Sequence, residues 1–180
     1  DVKDVGKGAS RFDFAKLTNL NGIYLRQADD KRLVNEISQR VATIVGIDAI
    51  DAAQKEILIN GMSGLKERAK TLIELAESSA FYVTDGVLSV NEKAQSLIDS
   101  APEGLFAELA NSLEALESWT EESVDASVRA TAEKLDLKLG KVAQPLRAVL
   151  TGSNSSPGIF EVMIVLGKEQ TLKRIRHFDA

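Results

Sequence analysis

Few side chains in these 180 residues could make or break a bond. The single histidine, His177, stands near the C-terminal end, and there is no cysteine. Disulfides, iron–sulfur clusters and cysteine-bound zinc are therefore excluded, a histidine metal site has no second ligand, and a Ser–His or Cys–His hydrolase is not supported. Glu121 and Glu122 are adjacent carboxylates, which point to different helix faces and cannot work as an acid/base pair. Gly6-Lys7-Gly8 looks like half a phosphate loop, but it lacks the preceding strand, the spacing and the following Lys-Ser/Thr. Asn154-Ser155-Ser156 is a formal glycosylation sequon, with meaning only in a secreted chain. No catalytic set and no metal-ligating set survives, which leaves recognition by charge and hydrogen bonding.

The formal charge is −5, at first sight a poor match for nucleic acid. That figure hides an asymmetry. Residues 137–180 hold seven basic side chains (Lys138, Lys141, Arg147, Lys168, Lys173, Arg174 and Arg176) against Glu161, Glu169 and Asp179. An acidic body with a basic end suits a polyanion partner. It equally suits a terminal helix whose dipole the cations complement.

Helical periodicity must position these charges. Leu33, Ile37, Val41 and Ile44 mark one face of a helix over about 29–45, stopped by Gly46. Gly61 and Gly64 read as breaks, after which a helix over about 63–79 turns Leu65, Leu72, Leu75 and Ala76 inward and leaves Lys66, Arg68 and Lys70 at polar positions. Thr120 caps a helix with an acidic first turn and Val124, Val128 and Leu135 on its core side. Val142, Leu146 and Val149 line a short helix that ends at Thr151-Gly152. Ser156 as N-cap and Pro157 at the first helical position predict the next helix start, with Ile159, Phe160, Met163 and Ile164 packing it and Gly167 closing it. Leu172, Ile175 and Phe178 form the inner stripe of the last helix.

The length allows one large or two small domains, and about 70% of the unfolded surface is buried at this size, enough for an unassisted core. Hydrophobic residues at 44% and charged ones at 27% are ordinary globular usage. Three prolines and nine aromatics favour helices over a β-barrel, and no recognition sheet or OB barrel fits. No apolar run reaches eighteen residues, so no spanning helix is expected. The opening Asp1-Val2-Lys3-Asp4, without Met or signal peptide, suggests an excised piece of a longer cytosolic protein. The pattern breaks around 80–91, and the chain is read as two helical subdomains, 1–88 and 89–180.

One stretch carries more. Gly140-Lys141-Val142-Ala143-Gln144-Pro145-Leu146-Arg147-Ala148-Val149-Leu150-Thr151-Gly152, followed by Ser156-Pro157-Gly158-Ile159-Phe160-Glu161, closely resembles the C-terminal anticodon-binding region of bacterial glutamyl-tRNA synthetases. Phe12-Asp13-Phe14-Ala15-Lys16-Leu17 with Leu20-Asn21-Gly22-Ile23-Tyr24-Leu25-Arg26 is similar to the start of that helical half. Arg68-Ala69-Lys70-Thr71-Leu72 and Val90-Asn91-Glu92-Lys93-Ala94 are similar to its middle. The order is right and the likeness runs over essentially the whole chain.

The resemblance implies an all-α fold: two helical subdomains forming the anticodon-binding half, of the α-helix cage type, of a class I aminoacyl-tRNA synthetase. The family's ATP signatures are absent, so the parent would join glutamate to tRNA with ATP and Mg²⁺, and this piece would be inactive and cofactor-free. It implies the anticodon arm of glutamate tRNA and a missing N-terminal Rossmann catalytic domain as partners, in a cytoplasmic monomer without membrane contact. By its motifs, an arginine that reads the third anticodon base falls on Arg68, and that of the Pro-Leu-Arg motif on Arg147. The anticodon-contacting turn falls on Ser156, Pro157 and Ile159, where a relative has Thr and Leu for the first and last. Lys138 and Lys141 are candidate phosphate contacts.

The chemistry agrees. Cytosine offers N3 and O2 acceptors side by side, which suit a donor-only guanidinium, whereas guanine presents N1–H and N2–H₂ donors there. Such a mismatch costs roughly 1–3 kcal/mol. The Ser156-Pro157 helix start would aim free N–H groups at a base or phosphate. Two other readings stand beside this one: the related helical domain of a class I lysyl-tRNA synthetase, and a helical protein–protein adaptor with an exposed apolar patch.

Overall fold

The computed structural model describes residues 13–85 and 88–178. Asp1-Val2-Lys3-Asp4, Gly6-Lys7-Gly8 and Asp179 lie outside the described residues. Within them the chain folds as nine α-helices and one 3-10 turn, with no strand: α1 Phe14–Gln27, α2 Asp30–Val45, α3 Ala52–Lys66, α4 Leu72–Ser79, the turn Ala80–Tyr82, α5 Glu92–Asp99, α6 Leu105–Glu114, α7 Glu121–Lys134, α8 Leu139–Thr151 and α9 Ile159–His177. The all-α expectation holds.

Side-chain caps set most helix starts, each satisfying a backbone N–H that has no partner inside its helix. Asp29 accepts from Arg32 N at the head of α2, and Gly46 ends that helix in the left-handed conformation at φ 81°. Asp51 with Gln54, and Thr120 with Ser123, close reciprocal capping boxes on α3 and α7. Thr71 and Asn91 cap α4 and α5 through Glu74 N and Ala94 N.

A continuous core runs through the fold. Leu33, Ile37, Leu58 and Leu65 join Leu109, Leu146, Met163 and Ile175 in one buried cluster. α2 packs on α3 and α4, α6 on α7 and α9, and α8 on α5 and α9, while α3 meets α9. At roughly 1.5–3 kcal/mol per fully buried large aliphatic side chain, that cluster is the dominant stabilising contribution.

The expected breaks at Gly61 and Gly64 are not breaks. α3 runs through both, because each glycine is a site of close approach. A Cβ at Gly61 would lie 2.6 Å from the Tyr82 ring, and one at Gly64 would lie 2.6 Å from the Glu161 carboxylate and 2.7 Å from Pro157 Cβ. The helix expected over 63–79 is consequently two, α3 and α4, joined by a turn at 67–71. Leu65, Leu75 and Ala76 do point inward, whereas Leu72 is exposed. Gly61→Ala is expected to lose about 1 kcal/mol net: overpacking against a buried ring costs about 1–3, and about 1 is returned by the better helix propensity of Ala. The midpoint of urea unfolding measures this, and a gain in stability would mean that the ring simply moves aside.

α9 is interrupted at Gly167, whose φ of 75° and ψ of 167° are not helical. Trp119 Nε1 donates to the Met163 carbonyl at 3.0 Å, one turn before the interruption. Just past the interruption, Lys168 Nζ donates to the Glu114 and Leu116 carbonyls at 2.8 and 2.7 Å, closing the C-terminal end of α6. α1 lies apart from this density of packing. Phe14, Leu17, Leu20, Ile23 and Tyr24 are all exposed along it, from 44% to 73%.

Candidate nucleic-acid interface

The seven cations of the basic C-terminal quarter do not form one outward face. Lys168 caps α6 as described, Lys173 pairs with Asp85 at 2.7 Å, and Arg176 pairs with Glu114 at 2.6 Å, holding that carboxyl below its ordinary value through hydrogen bond and charge. Arg174 is buried. Its Nη1 donates to the Leu150 carbonyl at 2.6 Å, and its Nη2 to those of Phe81 and Thr84 at 2.7 and 3.0 Å. Burial pushes its pKa down to about 10, with Asp85 acting in the other direction, so it is a cation at neutral pH. Four of the seven charges thus tie α9 to the protein itself, which corrects the expectation that this segment faces a polyanion.

Lys138, Lys141 and Arg147 remain. Lys138 and Lys141 are exposed at the first turn of α8, where Lys138 is the N-cap without a side-chain hydrogen bond. Arg147 lies on the same helix, two residues after Pro145, which cannot donate to the Lys141 carbonyl. Its Nη1 donates to the carbonyls of Ser156 at 3.0 Å and Pro157 at 2.7 Å, and to Ser156 Oγ. Ser156 Oγ in turn donates to the Pro157 carbonyl at 2.9 Å. The guanidinium therefore organises the turn that follows α8.

This arrangement overturns the expected helix start. The N-cap of α9 is Gly158, without a side-chain cap, and the helix begins at Ile159. Ser156 does not cap it because its hydroxyl is engaged with Arg147. Ser156, Pro157 and Ile159 all have buried side chains. What they can offer a ligand is the shape of the turn, with exposed Asn154 and Ser155 at its crest.

Arg68 reaches that crest from the opposite direction. It stands in the turn after α3 rather than on the expected helix, exposed, with Nη1 3.5 Å from Ser155 Oγ. Gly64 makes the approach possible: by letting α3 lie against Pro157 and Glu161, it brings the turn at 67–71 beside residue 155. Arg68 also lowers the pKa of Arg147, after the larger effect of burial. The two motifs, 79 positions apart in the sequence, thus meet at one place.

A groove of about 680 Å³ opens there. Arg68, Lys93, Gln144, Arg147, Asn154 and Ser155 line it, with Ser96 and Ser100 of the α5 face. Three cations from three separate elements line it, and no carboxylate does among the described residues. Arg68 and Ser155 also border a second groove of about 810 Å³, whose other charged residues are Glu74 and Glu77. Lys93 and Gln144 were not singled out by sequence reasoning. The one available signal was the capping pattern: with Asn91 as N-cap, Lys93 falls in the first turn of α5, where the helix dipole disfavours a cation.

Among the described residues no group of His, Asp or Glu could hold a metal ion, and no helix is long and apolar enough to cross a membrane. The described residues thus form an all-helical body with a groove lined by Arg68, Lys93 and Arg147. The family model for the anticodon binding domain matches residues 24–178, and the chain belongs to that family. It is 48% identical over its full length to glutamate–tRNA ligase 1 of Sphingopyxis alaskensis, and 47% identical over 97% of its length to glutamate–tRNA ligase 1 of Brucella melitensis biotype 1. The chain spans about 38% of the length of each of these relatives. Among solved structures, a glutamate tRNA ligase from Elizabethkingia meningosepticum, in complex with its amino acid, matches with a TM-score of 0.77 and 26% identity, over 99% of this chain and 34% of the other.

Proposed function

We propose that this chain grips the anticodon arm of glutamate tRNA on behalf of a glutamate–tRNA ligase, a cytoplasmic monomer that joins glutamate to tRNA with ATP and Mg²⁺. The observation that carries the reading is the groove at Arg68 and Arg147: paired guanidiniums without a facing carboxylate, in a molecule of net charge −5. Two like charges held together in a partly buried site favour an anionic or acceptor-rich ligand. Arg68, exposed in the turn after α3, reads the third anticodon base. Arg147 shapes the turn through Nη1 and presents the rest of its fork to the groove. Ser156, Pro157 and Ile159 fix the turn, and Lys138 and Lys141 extend the positive surface along α8. The exposed apolar face of α1 suits contact with the catalytic Rossmann domain of the longer protein. The division into 1–88 and 89–180 belongs to the same reading, with α3 and α9 packed across that line.

Binding of the chain to anticodon-arm hairpins of glutamate tRNA and their anticodon variants tests this directly. Neutralising Lys138 and Lys141 together is expected to flatten the log–log salt dependence by about 0.7 per lost phosphate contact, while an unchanged slope would place the RNA elsewhere. Catalysis is assigned to the remainder of the parent, so the chain alone is expected to show no ATP–pyrophosphate exchange. Exchange above a heat-killed control would overturn that assignment.

A further inference from the structure

Lys93 is the third cation of the groove, and it stands on an element that none of the expected contacts includes. The first turn of α5 is an unfavourable place for it. Backbone N–H groups at a helix N-terminus carry partial positive charge, which disfavours a cation there. The side chain is exposed, and no ion pair involving it is found among the described residues, although Glu92 precedes it. Ser96 and Leu97 stand three and four residues after Lys93, and Ser100 stands four and three after them, so a single face of α5 forms this wall of the groove. The wall is held in register with the turn after α8. Asn91 N donates to the Gly152 carbonyl at 2.9 Å, and Asn91 Nδ2 to Ser153 Oγ at 3.3 Å. Gly152 has φ 69°, and a Cβ there would run into the Ser89 carbonyl oxygen, so the two segments touch backbone to backbone.

The three cations differ in what they can do. Arg147 has Nη1 committed to the turn, and Arg68 offers a planar donor fork suited to the side-by-side acceptors of a base edge. Lys93 is a compact point charge with three rotatable donors, flanked by the Ser96 and Ser100 positions. That is phosphate-binding chemistry, indifferent to base identity. We propose that Lys93 binds a backbone phosphate of the single-stranded loop whose bases meet Arg68, so that α5 positions the strand while the opposite wall reads it. This inference rests on the anticodon-arm reading above.

The test uses the chain with hairpins carrying C or G at the third anticodon position. For Lys93→Gln we expect a loss of affinity of about three- to tenfold at moderate salt, equal for both hairpins, and a salt slope smaller by about 0.7. Lys93→Arg restores both, and the melting temperature of Lys93→Gln is unchanged or raised, since a cation leaves the dipole's positive end. An unchanged affinity and slope in Lys93→Gln overturns the proposal. So does a loss that differs between the hairpins, which would make Lys93 a reader of bases. If the unaltered chain binds neither hairpin, the anticodon reading itself fails. That outcome is separate from the others because it appears before any substitution is made.

Discussion

Arg68→Gln, introduced into the full-length ligase that the proposed function implies, is expected to lower the preference for C over G at the third anticodon position by about tenfold to a hundredfold, the worth of one base contact of roughly 1–3 kcal/mol. The sign follows from donor and acceptor counts. Arg presents donors only, matched to N3 and O2 of cytosine, and cannot accept from N1–H or N2–H₂ of guanine. Gln carries one amide donor group and one carbonyl acceptor, so it serves either edge. The structure sharpens the control. Arg68 is exposed, and its one hydrogen bond across the turn is a long one, 3.5 Å to Ser155 Oγ. Stability should therefore change by less than about 0.5 kcal/mol. Relative kcat/KM on tRNAs differing only at that base measures the effect. A ratio that stays within twofold in a folded variant would show Arg68 to be an ordinary surface arginine.

The opposite outcome is expected at Arg174, another arginine of the same charge but a different role. Arg174→Ala removes the donors from three carbonyls, those of Leu150 and Phe81 in a buried site and that of half-buried Thr84. At about 1–3 kcal/mol for each buried group left unsatisfied, partly relieved by entering water, the loss is expected to be about 3–5 kcal/mol. Urea unfolding measures it. A loss below about 1 kcal/mol would mean that water serves the carbonyls as well as the guanidinium does. Neutralising the exposed Lys173 or Arg176, each in a single surface ion pair, should cost less than about 1 kcal/mol.

These two arginines also mark where the sequence could be read and where it could not. The bounds of α2 were legible, because Asp29 and Gly46 act through local chemistry: a carboxylate on an N–H three residues on, and a backbone that needs positive φ. Of its inner face, Leu33, Ile37 and Val41 are buried, whereas Ile44 in the last turn is exposed. Thr120 and the stop at Thr151-Gly152 were legible for the same reason. Gly61 and Gly64 were misread because a glycine required by a neighbouring element looks the same in sequence as one that ends a helix. Only the Tyr82 ring and the Pro157–Glu161 turn distinguish them. Ser156-Pro157 fits a helix start by every local rule, and it loses to Arg147, which comes from the preceding helix. The basic C-terminal segment was misjudged similarly, since Asp85, Glu114 and the Leu150 carbonyl that receive its charges are distant in sequence. Lys93 escaped because α5 is only eight residues long, too short for periodicity to show. The juxtaposition of Arg68 with Arg147 rests on the resemblance of two motifs; nothing in either motif alone states that they meet.

The position of Arg174 in the chain has a consequence for the order in which the molecule is made. Every residue lining the groove, from Arg68 to Ser156, leaves the ribosome before residue 174 does. The oxygens that Arg174 satisfies lie at Phe81 and Thr84, in the chain that leads on to α5, and at Leu150 in the last turn of α8. A nascent chain can form α2 to α8 as helices, yet those three carbonyls lack their guanidinium partner until α9 arrives. The packing behind the groove is therefore completed last, by a residue that does not line it.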